Sequence, residues 1–291
     1  MMSGVPAWLP LRAACFDTFL FDIDGVLLHG TTPVAGALEQ VGRLQAANKR
    51  CVFVTNNSTR SRKVIAAGLT AAGLAARAED VISSASAAAA HLAAVMPGCT
   101  AFVVGEAGLL EELELRGISC VSLQDYPTRL PEAHFRALFT QPSLDAVVCG
   151  LDTTFTSAKL ATAAAHLQRG ALFIGTNPDA GDRVHDAGLT PGCGALLAAL
   201  EVAGGVQAHV VGKPASQLIE QLVERYKLDR SRTVMIGDRL DTDMAFAHAG
   251  GIASCLVLTG VASAAQAAAL PEGHPQRPKF LMPAVADLVW E

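Results

Sequence analysis

The chain has 291 residues, enough for a large buried core and better suited to two moderate domains than to one. Its formal charge of −5 and pI near 5.9 argue against a nucleic-acid partner, because the sequence shows no basic patch to meet one. Half the residues are hydrophobic, few are aromatic and Ala is abundant, as in an α/β protein with small-residue packing; the apolar stretches are too short to span a bilayer.

The segment from Met1 to Leu11 lacks the long apolar core of a secretory signal. A cytoplasmic protein is expected, or one in an organelle such as a plastid if a targeting segment has been removed. Cys15, Cys51, Cys99, Cys120, Cys149, Cys193 and Cys255 lie far apart, with no C-x-x-C pair and an odd total. That spacing fits buried free thiols better than disulfides or zinc.

Phe19-Leu20-Phe21 reads as a buried strand that ends in Asp22-Ile23-Asp24-Gly25. Side chains alternate along a strand, so Asp22 and Asp24 should project to one side. In an open parallel sheet the C-terminal strand ends carry the site. Two carboxylates there repel by about 4 kcal/mol at 4 Å and an effective dielectric near 20, and magnesium, a hard ion with oxygen ligands, relieves this.

A loop from His29 to Pro33 and a helix from Val34 to Ala47 follow. Cys51 to Thr55 is a second buried strand, ending in Thr55-Asn56-Asn57-Ser58. Ser58 and Thr59 are candidate caps for a helix over Ser61 to Ala72, and a strand handing over to a helix N-terminus offers an anion site. After an Ala-rich helix, Ala85 to Val95, the alternation resumes: strand Ala101–Val104, helix Leu109–Arg116, strand Ala146–Cys149, helix Thr156–Gln168 and strand Leu172–Gly175. Glu111, Glu112 and Glu114 read as a solvated helix face.

Asn177 to Gly194 reads as loop, leading into a helix from Ala195 to Val202. Val210 to Lys213 and Thr233 to Asp238 read as two buried strands joined by a helix, Ala215 to Tyr226, in a right-handed crossover. A short helix, Asp241 to His248, a last strand, Cys255 to Leu258, and a tail packed back on the core complete the chain. Hinges are expected near Pro97-Gly98 and Gly204-Gly205.

The fold class is therefore α/β, a doubly wound parallel-sheet (Rossmann-like) core with an inserted α/β block compact enough to be a domain of its own, which the resemblance given below implies is a cap domain. The expected limits are 1–97 and 209–291 for the core and 98–208 for the insertion. Strand ends carrying Asp22 and Asp24, Thr55 and Asn56, Lys213, and Asp238 and Asp243 would converge on one edge. Each motif has a bland rival alone: a turn pair, a helix cap, a surface lysine before Pro214, a common Gly-Asp turn. Their order and spacing make the signal.

At these residues the chain resembles the haloacid dehalogenase-like phosphatases, through Asp22-Ile23-Asp24-Gly25, Thr55, Lys213 and Gly237-Asp238-Arg239-Leu240-Asp241-Thr242-Asp243. The long insertion is similar to the α/β cap of the group that contains phosphoglycolate, pyridoxal (chronophin) and 4-nitrophenyl phosphatases. Supporting stretches include Phe53 to Ser58, Gly175-Thr176-Asn177, Val211 to Pro214 and Leu258-Thr259-Gly260-Val261.

The resemblance implies a Mg2+-dependent phosphomonoester hydrolase acting on a small phosphorylated metabolite. Asp22 would attack phosphorus, and Asp24 would protonate the leaving oxygen and later deprotonate water. Thr55 and the N–H groups of Asn56 and Asn57 would hold phosphoryl oxygens, with Lys213 balancing charge. Asp22, the Asp24 backbone carbonyl and Asp238 would hold the metal, and Asp243 would orient Lys213 or metal-bound water. A homodimer formed through the cap is also implied. Leu151 replaces an aromatic residue of pyridoxal phosphatases, and Arg183, in the cap loop Asn177 to Asp186, could pair with a substrate carboxylate. 2-Phosphoglycolate is the expected substrate, with pyridoxal 5′-phosphate and 4-nitrophenyl phosphate as alternatives. A magnesium-binding receiver module would be far shorter and lack Asp24, and a silent binding protein would be expected to have lost one of the aspartates.

Overall fold

The computed structural model describes residues 8–122, 132–140, 142–183 and 189–291. It divides into two compact units. The first contains residues up to Thr55, Lys63–Ile82 and Lys213–Glu291; the second contains Asn56–Arg62 and Ser83–Gly212.

The first unit is built on a six-stranded sheet in the order Phe280–Met282, Ala253–Val257, Thr233–Gly237, Thr18–Phe21, Arg50–Thr55, Val81–Ser83. The pairings from Phe280–Met282 across to Arg50–Thr55 are parallel. The chain winds outward from Thr18–Phe21 in one direction first and then in the other, so the strand order reverses at this strand. That reversal is where a doubly wound sheet places its ligand.

Thr18–Phe21 is buried along its whole length, as expected for a strand covered on both faces. Phe19 and Phe21 stack with ring centroids 6.2 Å apart, and Phe21 stacks in turn on Phe53 at 6.4 Å. These rings join Val234, Ile236, Leu44 and Leu69 in one apolar cluster. Burial of this kind is worth roughly 1.5–3 kcal/mol per large side chain. The C-terminal tail packs into the same cluster through Val285 and Leu288. Trp290 Nε1 donates to Gln40 Oε1 at 2.9 Å, and the Arg43 guanidinium lies over the Trp290 ring at 4.5 Å.

The second unit has a five-stranded sheet in the order His209–Val210, Leu172–Gly175, Ala146–Cys149, Thr100–Val104, Ser119–Val121, with every neighbouring pair parallel. Its core includes Phe102, Val104, Val147, Leu167, Phe173, Leu197 and Leu200.

Several expectations change. The helix Ser84–Val95 belongs with the second unit because it packs on the helix Ala107–Glu114, so this unit opens at Ser83 rather than at residue 98 and ends at Gly212. Gly98 and Gly205, expected near hinges, lie inside it; the chain crosses between the units at 55/56, 62/63, 82/83 and 212/213. The strand expected to carry Lys213 is His209–Val210, which pairs in the second unit's sheet, so no crossover joins it to Thr233–Gly237 within one sheet.

Glu112 is not solvated: it is 2% exposed and accepts from the Arg62 N–H at 2.8 Å and from Arg62 Nε at 2.9 Å. Helical spacing puts it beside Leu109 and Leu113 on the inner face, where a carboxylate persists only when paired. The helix Arg62–Ala71 opens at Arg62, whose N–H Glu112 accepts, and Ser58 Oγ, an expected cap, instead accepts from the Leu151 N–H at 3.0 Å. Of the seven free cysteines, Cys15 is exposed and Cys120 half-buried; the others are buried as expected. Among the described residues no helix is long and apolar enough to cross a membrane.

Candidate active site

Three neighbouring strands of the first unit's sheet end in Asp22, Thr55 and Asp238. The first strand's pairing continues one residue beyond its end, where the Asp22 N–H donates to Ile236 O at 2.9 Å. Asp22 is 7% exposed, Thr55 3% and Asp238 2%.

Lys213 reaches this edge from the segment after the second unit's sheet, not from a strand end, and precedes Pro214 through a cis peptide bond. Its Nζ is buried and donates to Asp22 Oδ1 at 2.9 Å, Asp243 Oδ1 at 2.7 Å and Val54 O at 2.9 Å. An ammonium has three donors, and all three are used.

Asp243 comes to the same place on one turn of π-helix, Leu240–Met244, a geometry frequent at functional sites. Its Oδ2 accepts from the Arg239 N–H at 3.1 Å. Asp241 stays outside the cluster and pairs with Arg239 at 3.0 Å.

The electrostatics follow from burial. Desolvation pushes the Asp22 carboxyl up, opposed by Lys213 and reinforced by the charge of Asp24. Asp238 is pushed well above the carboxylate range by burial and then by Asp22 and Asp243. Asp243 is pushed up to about 6 by burial, with Lys213 opposing. Burial alone would lower Lys213, but Asp22 and Asp243 more than reverse it and hold the ammonium charged.

Carboxylate oxygens of Asp22, Asp238 and Asp243 lie within 4.8 Å of one another. Three carboxylates against one ammonium leave two negative charges, the charge of one divalent cation. Asp238 supplies a second sign: Oδ2 accepts from the Val261 N–H at 2.7 Å, while Oδ1 is buried with no hydrogen-bond partner. A buried carboxylate oxygen without a donor is costly. Hard oxygen donors, a charge deficit of two and an unpartnered oxygen fit a magnesium-like ion.

Asp22 and Asp24, expected to project to one side, differ in burial. The chain leaves the strand after Phe21, so strict alternation ends; Asp22 is buried and Asp24 exposed. Asp24 is therefore open to exchange protons, as the buried aspartates are not. His29 is exposed in a two-residue strand paired with Thr32–Pro33.

Asn56 and Asn57 follow Thr55 in the chain but fall in the second unit. The Asn56 side chain donates to Asp179 Oδ1 at 3.1 Å. Asn57 Oδ1 accepts from the Thr59 and Arg60 N–H groups at 3.0 and 3.1 Å, closing an Asx turn. The segment expected to be loop around Arg183 is partly a hairpin: Gly181–Arg183 pairs antiparallel with Leu189–Pro191, Arg183 opposite Leu189. Val184 to Asp186, and the Arg183 side chain, lie outside the described residues. Sequence reasoning missed the Val54 carbonyl and the Val261 N–H, which are backbone groups and leave no residue-type signature.

A family model described as haloacid dehalogenase-like hydrolase matches residues 19–119, and one described as HAD-hydrolase-like matches residues 210–288. Human chronophin is 39% identical over 278 residues, covering 92% of this chain and 90% of that protein. Chloroplastic phosphoglycolate phosphatase 1A of Arabidopsis thaliana is 36% identical over 278 residues, 94% of this chain and 76% of that one. The glycerol phosphate phosphatase of Mycobacterium tuberculosis, solved in complex with magnesium, superposes with a TM-score of 0.80 at 35% identity, covering 96% of this chain and 78% of the other.

Proposed function

The chain belongs to the haloacid dehalogenase-like hydrolases and is a phosphomonoester hydrolase, and from that premise we propose that it hydrolyses small phosphometabolites, 2-phosphoglycolate foremost, through an aspartyl-phosphate on Asp22. The observation that carries this reading is the buried cluster of Asp22, Asp238 and Asp243 around one fully bonded lysine, short of two positive charges.

Asp22 attacks phosphorus as the bond to the leaving oxygen breaks, and the carboxyl of Asp24 gives that oxygen its proton. Asp24 then takes a proton from the water that attacks the phosphoryl group, and the bond to Asp22 breaks to release phosphate. Asp24 is the exposed member of the pair, as a group that meets substrate and water must be. Lys213 keeps Asp22 ionised beside an anionic substrate, and Asp243 holds Lys213. Thr55 and the N–H groups of Asn56 and Asn57 bind phosphoryl oxygens. Asp22, Asp238 and the Asp24 backbone carbonyl would hold magnesium, which when bound neutralises phosphoryl charge.

For the leaving group, Leu151 bears on the choice: it packs against the second unit's own apolar cluster rather than offering an aromatic face to a pyridine ring. Phosphoglycolate, the substrate named for one relative, is small and acyclic. Arg183, by its residue type and its place in the resembling loop, is the partner proposed for its carboxylate. Similarity to chronophin keeps pyridoxal 5′-phosphate as the second reading. The working form is a cytoplasmic homodimer joined through the second unit.

Phosphate release from 2-phosphoglycolate, pyridoxal 5′-phosphate and 4-nitrophenyl phosphate, with magnesium and with EDTA, tests the proposal. The highest kcat/KM is expected for 2-phosphoglycolate, and Arg183→Ala should lower it at least about tenfold. An Arg183→Ala enzyme within about twofold of wild type would rule out the carboxylate contact; full activity in EDTA would rule out the metal.

The raised carboxylates also fix a pH dependence. A carboxyl whose folded pKa exceeds its unfolded value contributes stability below the unfolded pKa and loses that contribution as pH rises through the folded one. For Asp243 the window runs from the ordinary 3.8 to about 6. Magnesium binds the deprotonated cluster, so saturating MgCl2 should raise Tm by about 5 °C at pH 7.5 and much less at pH 5. Equal shifts at the two pH values would contradict this account of the cluster.

A further inference from the structure

The stretch Leu258-Thr259-Gly260-Val261 is part of the sequence resemblance, yet the reaction above gives it no task. It follows the strand Ala253–Val257, which lies beside Thr233–Gly237. Three hydrogen bonds tie this stretch and the next residue to the loops that carry the aspartates. The Thr259 hydroxyl donates to the Gly25 carbonyl at 2.6 Å, the Val261 N–H to Asp238 Oδ2 at 2.7 Å, and the Ala262 N–H to the Asp238 carbonyl at 2.9 Å.

The loops touch closely because two residues lack side chains. A Cβ on Gly260 would lie 1.9 Å from Asp238 Oδ2, and one on Gly25 would lie 2.6 Å from the same oxygen and 3.2 Å from Gly260 Cα. Asp238 Oδ2 is thus enclosed and bonded, which leaves Oδ1, the unpartnered oxygen, as the one available to a cation.

Hydrogen bonds hold the peptide planes on either side of Gly25. The Gly25 N–H donates to Leu28 O at 2.7 Å. In a trans peptide the C=O opposes the N–H, so that bond sets the direction of the Asp24 carbonyl. The next plane carries the Gly25 carbonyl and the Val26 N–H: the N–H donates within the turn to Ile23 O at 3.3 Å, and the Thr259 hydroxyl, at 2.6 Å, is the shorter bond and the one that comes from the loop beside Asp238. Gly25 has φ +82° and no Cβ, so its own conformational preference does little to fix either plane.

We propose that Thr259 is a positioning residue for the divalent cation: its hydroxyl locks the turn after Asp24 against the loop that holds Asp238, and so fixes the spacing of the Asp24 carbonyl and Asp238 Oδ1. The proposal rests on the reading that these two groups bind magnesium. Outer-shell partners of metal ligands are commonly worth 10–100-fold in affinity, whereas a surface hydroxyl with no such role is worth little to either metal or fold.

The test uses the full chain and magnesium alone as the probe, following Tm against MgCl2 concentration for wild type, Thr259→Val, Thr259→Ser and Asp238→Asn. Thr259→Val keeps the shape and loses the donor; its half-saturating magnesium concentration should rise about tenfold, and Thr259→Ser should stay within about threefold of wild type. If Thr259→Val does not fold, Thr259→Ala carries the same expectation. An unchanged midpoint in Thr259→Val, alongside a lost response in Asp238→Asn, overturns the proposal alone. Equal impairment in Thr259→Ser also overturns it, because packing rather than the hydroxyl would then be at issue. A wild-type response in Asp238→Asn overturns the metal assignment itself and the proposal with it.

Discussion

Asp22→Asn should lower kcat/KM for every phosphomonoester by at least about four orders of magnitude, because an amide cannot serve as the attacking carboxylate. Asp238 and Asp243 each place a carboxylate oxygen within 4.8 Å of one of Asp22. Asp238 has one oxygen bonded to the Val261 N–H, and Asp243 has both engaged, by Lys213 and the Arg239 N–H. Acid quenching during turnover with radiolabelled substrate should leave label on wild-type protein and none on Asp22→Asn. Label on the variant, or a loss below about a hundredfold, would mean that the nucleophile lies elsewhere.

A companion experiment separates the two aspartates. Asp24→Asn cannot protonate a poor leaving group, so an alkyl phosphate should turn over slowly. The nitrophenolate anion leaves without a proton, so with 4-nitrophenyl phosphate the variant should release about one equivalent per site in a burst and then stall, lacking the base for water. A linear time course at the wild-type rate would remove Asp24 from the mechanism.

The second large effect is expected at Lys213. Lys213→Met leaves Asp22 and Asp243 buried without their shared cation and the Val54 carbonyl without its donor. Breaking a buried pair on one side costs about 3–5 kcal/mol, enough to lower Tm by about 10 °C in a domain of this size. Turnover should fall by at least about a thousandfold, since the phosphoryl group then meets an uncompensated carboxylate.

The sign with pH is fixed by the same cluster. Removal of the ammonium raises the carboxyls further, so protonation relieves the repulsion and the Tm deficit should shrink between pH 7.5 and pH 5. Lys213→Met/Asp243→Asn, which removes one stranded charge, should regain part of the Tm and none of the activity. Recovery of activity in the double variant would show that Lys213 serves only the fold.

Sequence alone determined the strand Thr18–Phe21 and its exit into Asp22, because a run of buried apolar residues ending in carboxylates has few other folds available. The α/β class was legible in the alternation of strand and helix patterns, and the resemblance to the haloacid dehalogenase-like phosphatases picked out Lys213, Asp238 and Asp243 as one set. Tertiary structure decided the rest. Lys213 comes from a connecting segment and not a strand end, Glu112 is a buried partner of Arg62 and not a surface charge, and Asp22 and Asp24 part company in burial. Each of these depends on which groups surround a side chain after folding, and a backbone carbonyl, a left-handed glycine or a π-turn is set by long-range packing that no local pattern encodes. The Thr259 hydroxyl and the Gly25 carbonyl it meets are 234 residues apart in sequence and 2.6 Å apart in space.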